Sequence, residues 1–164
     1  MQFTPEWSSH YPVLIKVMEQ AYGPVLEMGM GPFSTPLLHW LCFDKGLTLD
    51  SFDNDPKYFD LNMKFDSEFH KVRFVNDWED LFLNKIYSVA FIDHKPARRR
   101  HKDIAHLANK ADFVIIHDSE PEQDKYYGYS RIYKYFKYRF DYTKARPFTT
   151  VLSNVNDLSF LKNE

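Results

Sequence analysis

The chain has 164 residues, 44% hydrophobic and 18% aromatic. That is enough to bury one real core and leaves little room for a second domain. Its 21 basic and 23 acidic side chains leave a formal net charge of -2, so whole-molecule charge draws it neither to nucleic acid nor to an anionic membrane. The single cysteine, Cys42, excludes an intrachain disulfide framework and a cysteine zinc centre. Apolar runs fall far short of a membrane span, and no basic-then-apolar leader opens the sequence. The expectation is a soluble, cytoplasmic, single-domain protein with an N-terminal helical segment (1–23), a core (24–153) and a tail (154–164).

Short apolar runs alternate with amphipathic stretches, without internal repeats, which points to one α/β unit. Residues 12–22 put Val13, Leu14, Val17, Met18 and Ala21 on one helical face, stopped by Gly23-Pro24. "PVLEM" reads as a buried strand. Beyond a glycine turn, Thr35 is expected to cap a helix that opens at Pro36 and ends at Gly46. "LTLDSFD" is a second strand, and Asp55-Pro56 starts a helix running to about Phe65. "KVRFV" is a third strand, followed by a short segment at Trp78 to Phe82. "IYSVAFID" is a fourth, and Ala97 to Lys110 reads as a helix with a basic solvated face. "ADFVIIHD" is a fifth strand, 119–128 a polar loop and "YSRIYKYF" a further helix. "YRFDYTK" and "FTTVLSN" close the chain as two strands. Strands separated by helices should run parallel, whereas the last pair, with no helix between, should form an antiparallel hairpin.

In an open parallel sheet, ligands bind beyond the carboxyl ends of the strands. Those ends carry Glu27, Asp53, Asp77, Asp93 and Asp118, a carboxylate at each of the first five strands. The turn between the first strand and its helix has Gly29 and Gly31, but Ser34 stands where a dinucleotide fingerprint has its third glycine. A pyrophosphate beside Glu27 would meet like charge, worth about 4 kcal/mol at 4 Å and a surface-like dielectric. A ligand with cationic groups, and with a ribose for Asp53, suits this rim better.

These residues resemble the class I S-adenosylmethionine-dependent methyltransferases over almost the whole chain, from Val25 to about Ser153. "VLEMGMGPFST" is similar to the family's acid-x-Gly-x-Gly motif, and "SFDNDP" to its second-strand acid with Asp-Pro. "VNDW" stands where adenine-contacting residues lie; "VAFIDHKPARRR" and "ADFVIIHDSE" resemble the fourth and fifth motifs, nearest to catechol- and sugar-O-methyltransferase-like members. The resemblance implies a Rossmann-like, doubly wound, mostly parallel seven-stranded sheet with helices on both faces. It implies that Glu27, Gly29, Gly31 and Ser34 approach the methionine part of the cofactor. It places Asp53 on the ribose, Asp77 and Trp78 beside adenine, and Asp93 among the cofactor-binding residues.

Asp93, His94, His117 and Asp118, at the ends of adjacent strands, are the catalytic candidates, with either histidine a base near neutral pH. Asp93 and Asp118 are also candidate ligands for Mg2+ or another divalent cation. The catechol-type pattern is Asp-His-x-Lys followed by Asp-Asn; here Lys95 comes one residue early and Ser119 replaces the asparagine. The basic run from Lys95 to Lys102 reads as a solvated helix face or, through its first members, as a seat for an anionic substrate group. Trp7, His10 and Tyr11 either cover the site or pack the first helix. The acceptor is expected to be a sugar, glycan or small hydroxylated molecule, its site completed by the N-terminal segment, the loop after His117 and a second subunit in a homodimer. A nucleic-acid methyltransferase, a noncatalytic S-adenosylmethionine-binding protein and a nicotinamide oxidoreductase are the alternatives. The first of these needs the basic residues of 95–102 and 125–146 on one surface.

Overall fold

The computed structural model describes residues 4–162, so the first three residues of the N-terminal segment and the last two of the tail lie outside the described residues. Seven strands form one sheet: β1 (Val25–Met28), β2 (Leu49–Asp53), β3 (His70–Phe74), β4 (Tyr87–Ile92), β5 (Ala111–His117), β6 (Tyr138–Tyr142) and β7 (Thr149–Ser153). Their spatial order is β3-β2-β1-β4-β5-β7-β6. The first five strands run parallel, and β7 lies antiparallel between β5 and β6. The strand order reverses between β1 and β4, which makes their carboxyl ends the switch point of the sheet.

Strand alternation sorts the core into two layers. Val25, Val89, Phe91, Phe113, Ile115 and Val151 face α1 (Tyr11–Glu19) and α2 (Ser34–Lys45), where Val13, Leu14, Val17, Met18, Leu38 and Cys42 cover them. Leu26, Ala90, Ile92, Val114, Ile116 and Leu152 face the opposite side, where Ile104 and Leu107 of α4 (Arg100–Leu107) pack beside Trp78 and Tyr129. Two shorter helices, α3 (Pro56–Asn62) and α5 (Asp124–Tyr127), follow β2 and β5.

Four sequence expectations change, the first at 119–128, where a 3-10 turn (Pro121–Gln123) and α5 stand in place of a loop. The second helix opens at Ser34 rather than Pro36, so Thr35 lies inside its first turn, and its hydroxyl serves the buried Glu27 instead of capping the helix. Residues 129–136 make two single 3-10 turns, Tyr129–Arg131 and Tyr133–Tyr135, rather than an α-helix. Aromatic and β-branched side chains lose rotamer freedom in a helix, and Gly128 with φ 69° has already broken the chain's direction. The helix expected over 97–110 likewise begins as a 3-10 turn, Ala97–Arg99.

Candidate active site

A cavity of about 380 Å3 opens at the switch point. One wall is the turn from Met30 to Ser34, and the floor is formed by the ends of β2, β4 and β5. Trp7, His10 and Pro147 close it from the N-terminal segment and the β6–β7 loop. The N-terminal segment is tied down at two points: the Tyr11 hydroxyl donates to the Phe33 carbonyl at 3.0 Å, and the Ser9 hydroxyl to the Pro147 carbonyl at 2.7 Å.

The glycine turn exists because β1 and β4 come so close beyond their ends. At Gly29, φ is 97°, and a Cβ there would lie 2.3 Å from the His94 nitrogen, so only glycine fits. Beneath the turn, Glu27 is wholly buried and does not reach the cavity. It accepts hydrogen bonds from Ser51 Oγ at 2.6 Å and Thr35 Oγ1 at 3.0 Å, and Thr35 Oγ1 in turn accepts from the Gly31 amide at 3.1 Å. Behind Ser51 the chain continues through His70 Nε2 at 2.9 Å to His39, whose Nδ1 lies 3.0 Å from His70 Nδ1. Because Ser51 gives its proton to Glu27, His70 must carry its proton on Nε2, and His39 then donates to His70 Nδ1. Every donor in this buried relay therefore points toward Glu27. Burial still outweighs the serine and threonine donors and raises the Glu27 carboxyl to about 7.

Asp53 does line the cavity. Its Oδ2 accepts from the Met30 amide at 2.6 Å and its Oδ1 from the Asp55 amide at 2.7 Å, which fastens the glycine turn to the β2 end. Burial lifts its carboxyl to about 6 against those two N–H donors. Gly31 and Ser34 are also in the wall. Asp77 and Trp78 are not: they line a neighbouring shallow cleft with Pro96, Arg98, Arg99 and Lys102. Asp77 caps the turn Trp78–Asp80, and the Trp78 indole N–H donates to the Lys95 carbonyl at 2.6 Å, supporting from behind the segment that does face the cavity.

At the other end, Asp93, His117 and Asp118 converge, with one ligand-type atom from each within 4.8 Å of the others. His94 departs from the group. One step of strand alternation beyond Asp93 turns its ring to the opposite face, where it packs on Trp78 at 4.4 Å between ring centroids and sets Nε2 2.9 Å from Asp103 Oδ2. Its side chain is fully covered and its pKa is lowered, by burial first, so it supports α4 and offers no base to the cavity.

The sequence reading missed the residue that organises this end. Arg100, placed there on a solvated face, is buried and reaches between the two acids: Nη2 is 2.9 Å from Asp93 Oδ1 and Nη1 is 3.1 Å from Asp118 Oδ2. It also donates to the backbone carbonyls of His94 at 2.6 Å and Asp93 at 2.7 Å. The signal was helical spacing, since Arg100 shares a face with the apolar Ile104 and Leu107. Tyr127, whose hydroxyl donates to Asp118 Oδ2 at 2.8 Å, and Tyr129, whose hydroxyl donates to the His117 carbonyl at 3.1 Å, complete the enclosure.

The surroundings of His117 favour its charged form. Ser9 has one proton, given to Pro147, so toward His117 Nε2 at 3.0 Å it can only accept; Nδ1 meets the Asp93 carboxylate at 3.3 Å. Both ring nitrogens therefore carry hydrogen. Burial works against that charge, but Asp93 outweighs it and the pKa is raised. Asp93 shows the reciprocal balance: burial would raise it, yet His117 and Arg100 hold it well below the usual carboxylate range. Neighbouring His10, buried beside His117 and Phe91, is driven down to about 3 by burial and by His117.

These facts test three ligands against the site. A pyrophosphate at the glycine turn would face Asp53 and Asp55, with the cavity's Lys95, Arg100 and His117 beyond the β4 and β5 ends. A divalent cation between Asp93 and Asp118 would compete with a guanidinium already there, and the third donor, His117, is protonated; the residues do not fit a metal. S-adenosylmethionine, with a ribose, an ammonium and a sulfonium but no phosphate, suits the carboxylates of the wall: Asp53 beside the turn, and Asp93 and Asp118 at the far end.

No protein-family model matches the chain, and no curated protein matches it in sequence. Solved structures do. Human methyltransferase-like protein 13, in complex with S-adenosylhomocysteine, superposes with a TM-score of 0.66 at 13% identity, over 92% of this chain and 84% of that one. The O-methyltransferase TomG from Streptomyces achromogenes, in complex with S-adenosylmethionine, gives 0.63 at 12% identity over 93% and 81%. An O-methyltransferase from Bacillus cereus, in complex with S-adenosylhomocysteine, gives 0.60 at 13% over 93% and 82%. The fold is the Rossmann-like fold of these class I methyltransferases.

Proposed function

We propose that this chain is an S-adenosylmethionine-dependent methyltransferase acting on a hydroxyl of a sugar, glycan or other small hydroxylated acceptor. The observation that carries the reading is the cavity at the switch point of a methyltransferase fold, walled by the Met30–Ser34 turn and by Asp53, with no basic side chain at the turn end among the described residues. S-adenosylmethionine would supply the methyl group as a sulfonium. Asp53 would take the ribose hydroxyls, the Met30–Ser34 turn would cradle the methionine part, and Lys95 and Ala97 would border the adenine side with Trp78 behind them. Trp7, His10 and Tyr127 narrow the acceptor end, where the protein's contribution is to align the acceptor oxygen and keep water out. A second subunit, if the protein dimerises, would extend this open side.

The hydroxyl reading is favoured over nucleic acid because four of the six arginines in 95–102 and 125–146 already pair with carboxylates of the chain, while Arg98 and Arg131 stay exposed. Arg99 pairs with Asp103 and Glu79, Arg100 with Asp93 and Asp118, Arg139 with Asp141, and Arg146 with Glu122. The test is transfer from methyl-labelled S-adenosylmethionine to a panel of sugars, glycans, small phenols and nucleosides. Label on the hydroxylated acceptors supports the reading, and label confined to nucleosides or RNA overturns it.

A further inference from the structure

Arg100 spends every N–H it has on fixed partners. Nε donates to the His94 carbonyl; Nη2 faces the Asp93 carbonyl and carboxylate; Nη1 faces Asp118 Oδ2, the Tyr129 hydroxyl at 3.3 Å and the His117 carbonyl at 3.4 Å. Its plane also lies over the Tyr127 ring, 4.8 Å from the centroid. So it cannot be the seat of an anionic substrate group. What it does is bridge two carboxylates of the cavity wall and hold them a fixed distance apart, which is the task a bound divalent cation performs in a two-acid site. Among the described residues the most open acceptor atom is Asp118 Oδ1, 3.9 Å from His117 Nδ1, whereas Asp118 Oδ2 already takes Arg100 and Tyr127. Asp118 adopts φ 57°, a backbone conformation that carries its side chain into this cluster next to His117.

We propose that Arg100 is a resident cation of the acceptor end, taking the place of a metal, and that Asp118 Oδ1 receives the hydrogen of the acceptor hydroxyl. The inference rests on the methyltransferase reading. In the transfer, the acceptor O–H bond breaks and its proton goes to Asp118 Oδ1; the acceptor oxygen bonds the methyl carbon, and the sulfur keeps the electron pair of the broken S–C bond and leaves neutral. Arg100 is a positioning residue here, and Asp118 is the one that touches the acceptor.

Mn2+ titration followed by electron paramagnetic resonance tests the assignment without relying on activity. The wild type is expected to leave the free Mn2+ signal unchanged, whereas Arg100→Ala, with Asp93, His117 and Asp118 released, is expected to gain a site that Arg100→Ala with Asp118→Asn loses. Methyl transfer should fall roughly a hundredfold in Arg100→Ala, recover in part when guanidinium is added, and in the wild type survive a chelator. A wild-type Mn2+ site abolished by Asp118→Asn, transfer stopped by the chelator, or a folded Arg100→Ala that binds no Mn2+ would each overturn the proposal. The wild-type measurements decide even if the variant does not fold. Binding of S-adenosylhomocysteine, measured separately, distinguishes failure of the methyltransferase reading from failure of this one.

Discussion

The two ends of the cavity hold carboxylates in opposite ways. At the glycine end, Glu27 and Asp53 are buried with hydroxyl and amide donors but no cation, and both are pushed up, to about 7 and about 6. At the far end, Asp93 is only partly covered, and Arg100 and His117 hold it below the ordinary carboxylate range. Neutral dipoles soften the cost of burying a charge; a paired cation reverses it. Asp53 and Asp93, at the same level of the sheet on β2 and just beyond β4, thus become a scaffold that tolerates a proton at one end and a fixed charge at the other.

The contrast is broken most severely by removing the guanidinium. Arg100→Met leaves Asp93 and Asp118 facing each other in a covered site and should cost about 3–5 kcal/mol in urea unfolding; a loss under about 1 kcal/mol would show that the pair does not set the state of this end. Next in size is the pH response. For Glu27, a native pKa raised from 4.5 to about 7 means the native state holds its proton more tightly than the unfolded chain. Stability should therefore fall by about 3 kcal/mol as pH climbs between those values, and Glu27→Gln should abolish that part of the slope. Asp93 has the opposite sign: its lowered pKa stabilises the native state above the unfolded value and is lost in acid, so Asp93→Asn should be less stable than wild type at neutral pH. Gly29→Ala strikes where the two ends meet, and the clash with His94 together with the positive φ should cost about 2 kcal/mol or more. Smallest is Tyr127→Phe, which removes one donor from Asp118 and should cost about 1 kcal/mol.

Strand and helix order was legible because each apolar run is short and bounded. "IYSVAFID" and "ADFVIIHD" became β4 and β5, and the absence of a helix near Pro147 announced the antiparallel β6–β7 pair. The aromatic-rich stretch 129–136 was not legible, since its spacing suits a helix while its side chains disfavour one. Of the acids at strand ends, Asp53, Asp93 and Asp118 line the cavity, and which of them face it depended on alternation and on loops. Asp93 and His94 are neighbours in sequence and sit on opposite faces; Asp77 lies three residues beyond β3 and was carried past the cavity rim. Arg100 was readable in principle from its register with Ile104 and Leu107, and its charge hid it. Ser9 reaches His117 across 108 residues of sequence, so only the fold could bring them together, and Tyr127 and Tyr129, 9 and 12 residues from their partners, are set by the turns after β5.

The central claim is that this cavity takes the adenosyl cofactor rather than a dinucleotide, and calorimetry with S-adenosylhomocysteine, S-adenosylmethionine and NAD tests it most directly. The account predicts one molecule of either adenosyl compound per chain, no heat from NAD, and affinity weakened in Asp53→Ala by about 1–3 kcal/mol, the loss of hydrogen bonds to a charged group. A folded protein that binds neither adenosyl compound, or that binds NAD in their place, would contradict it.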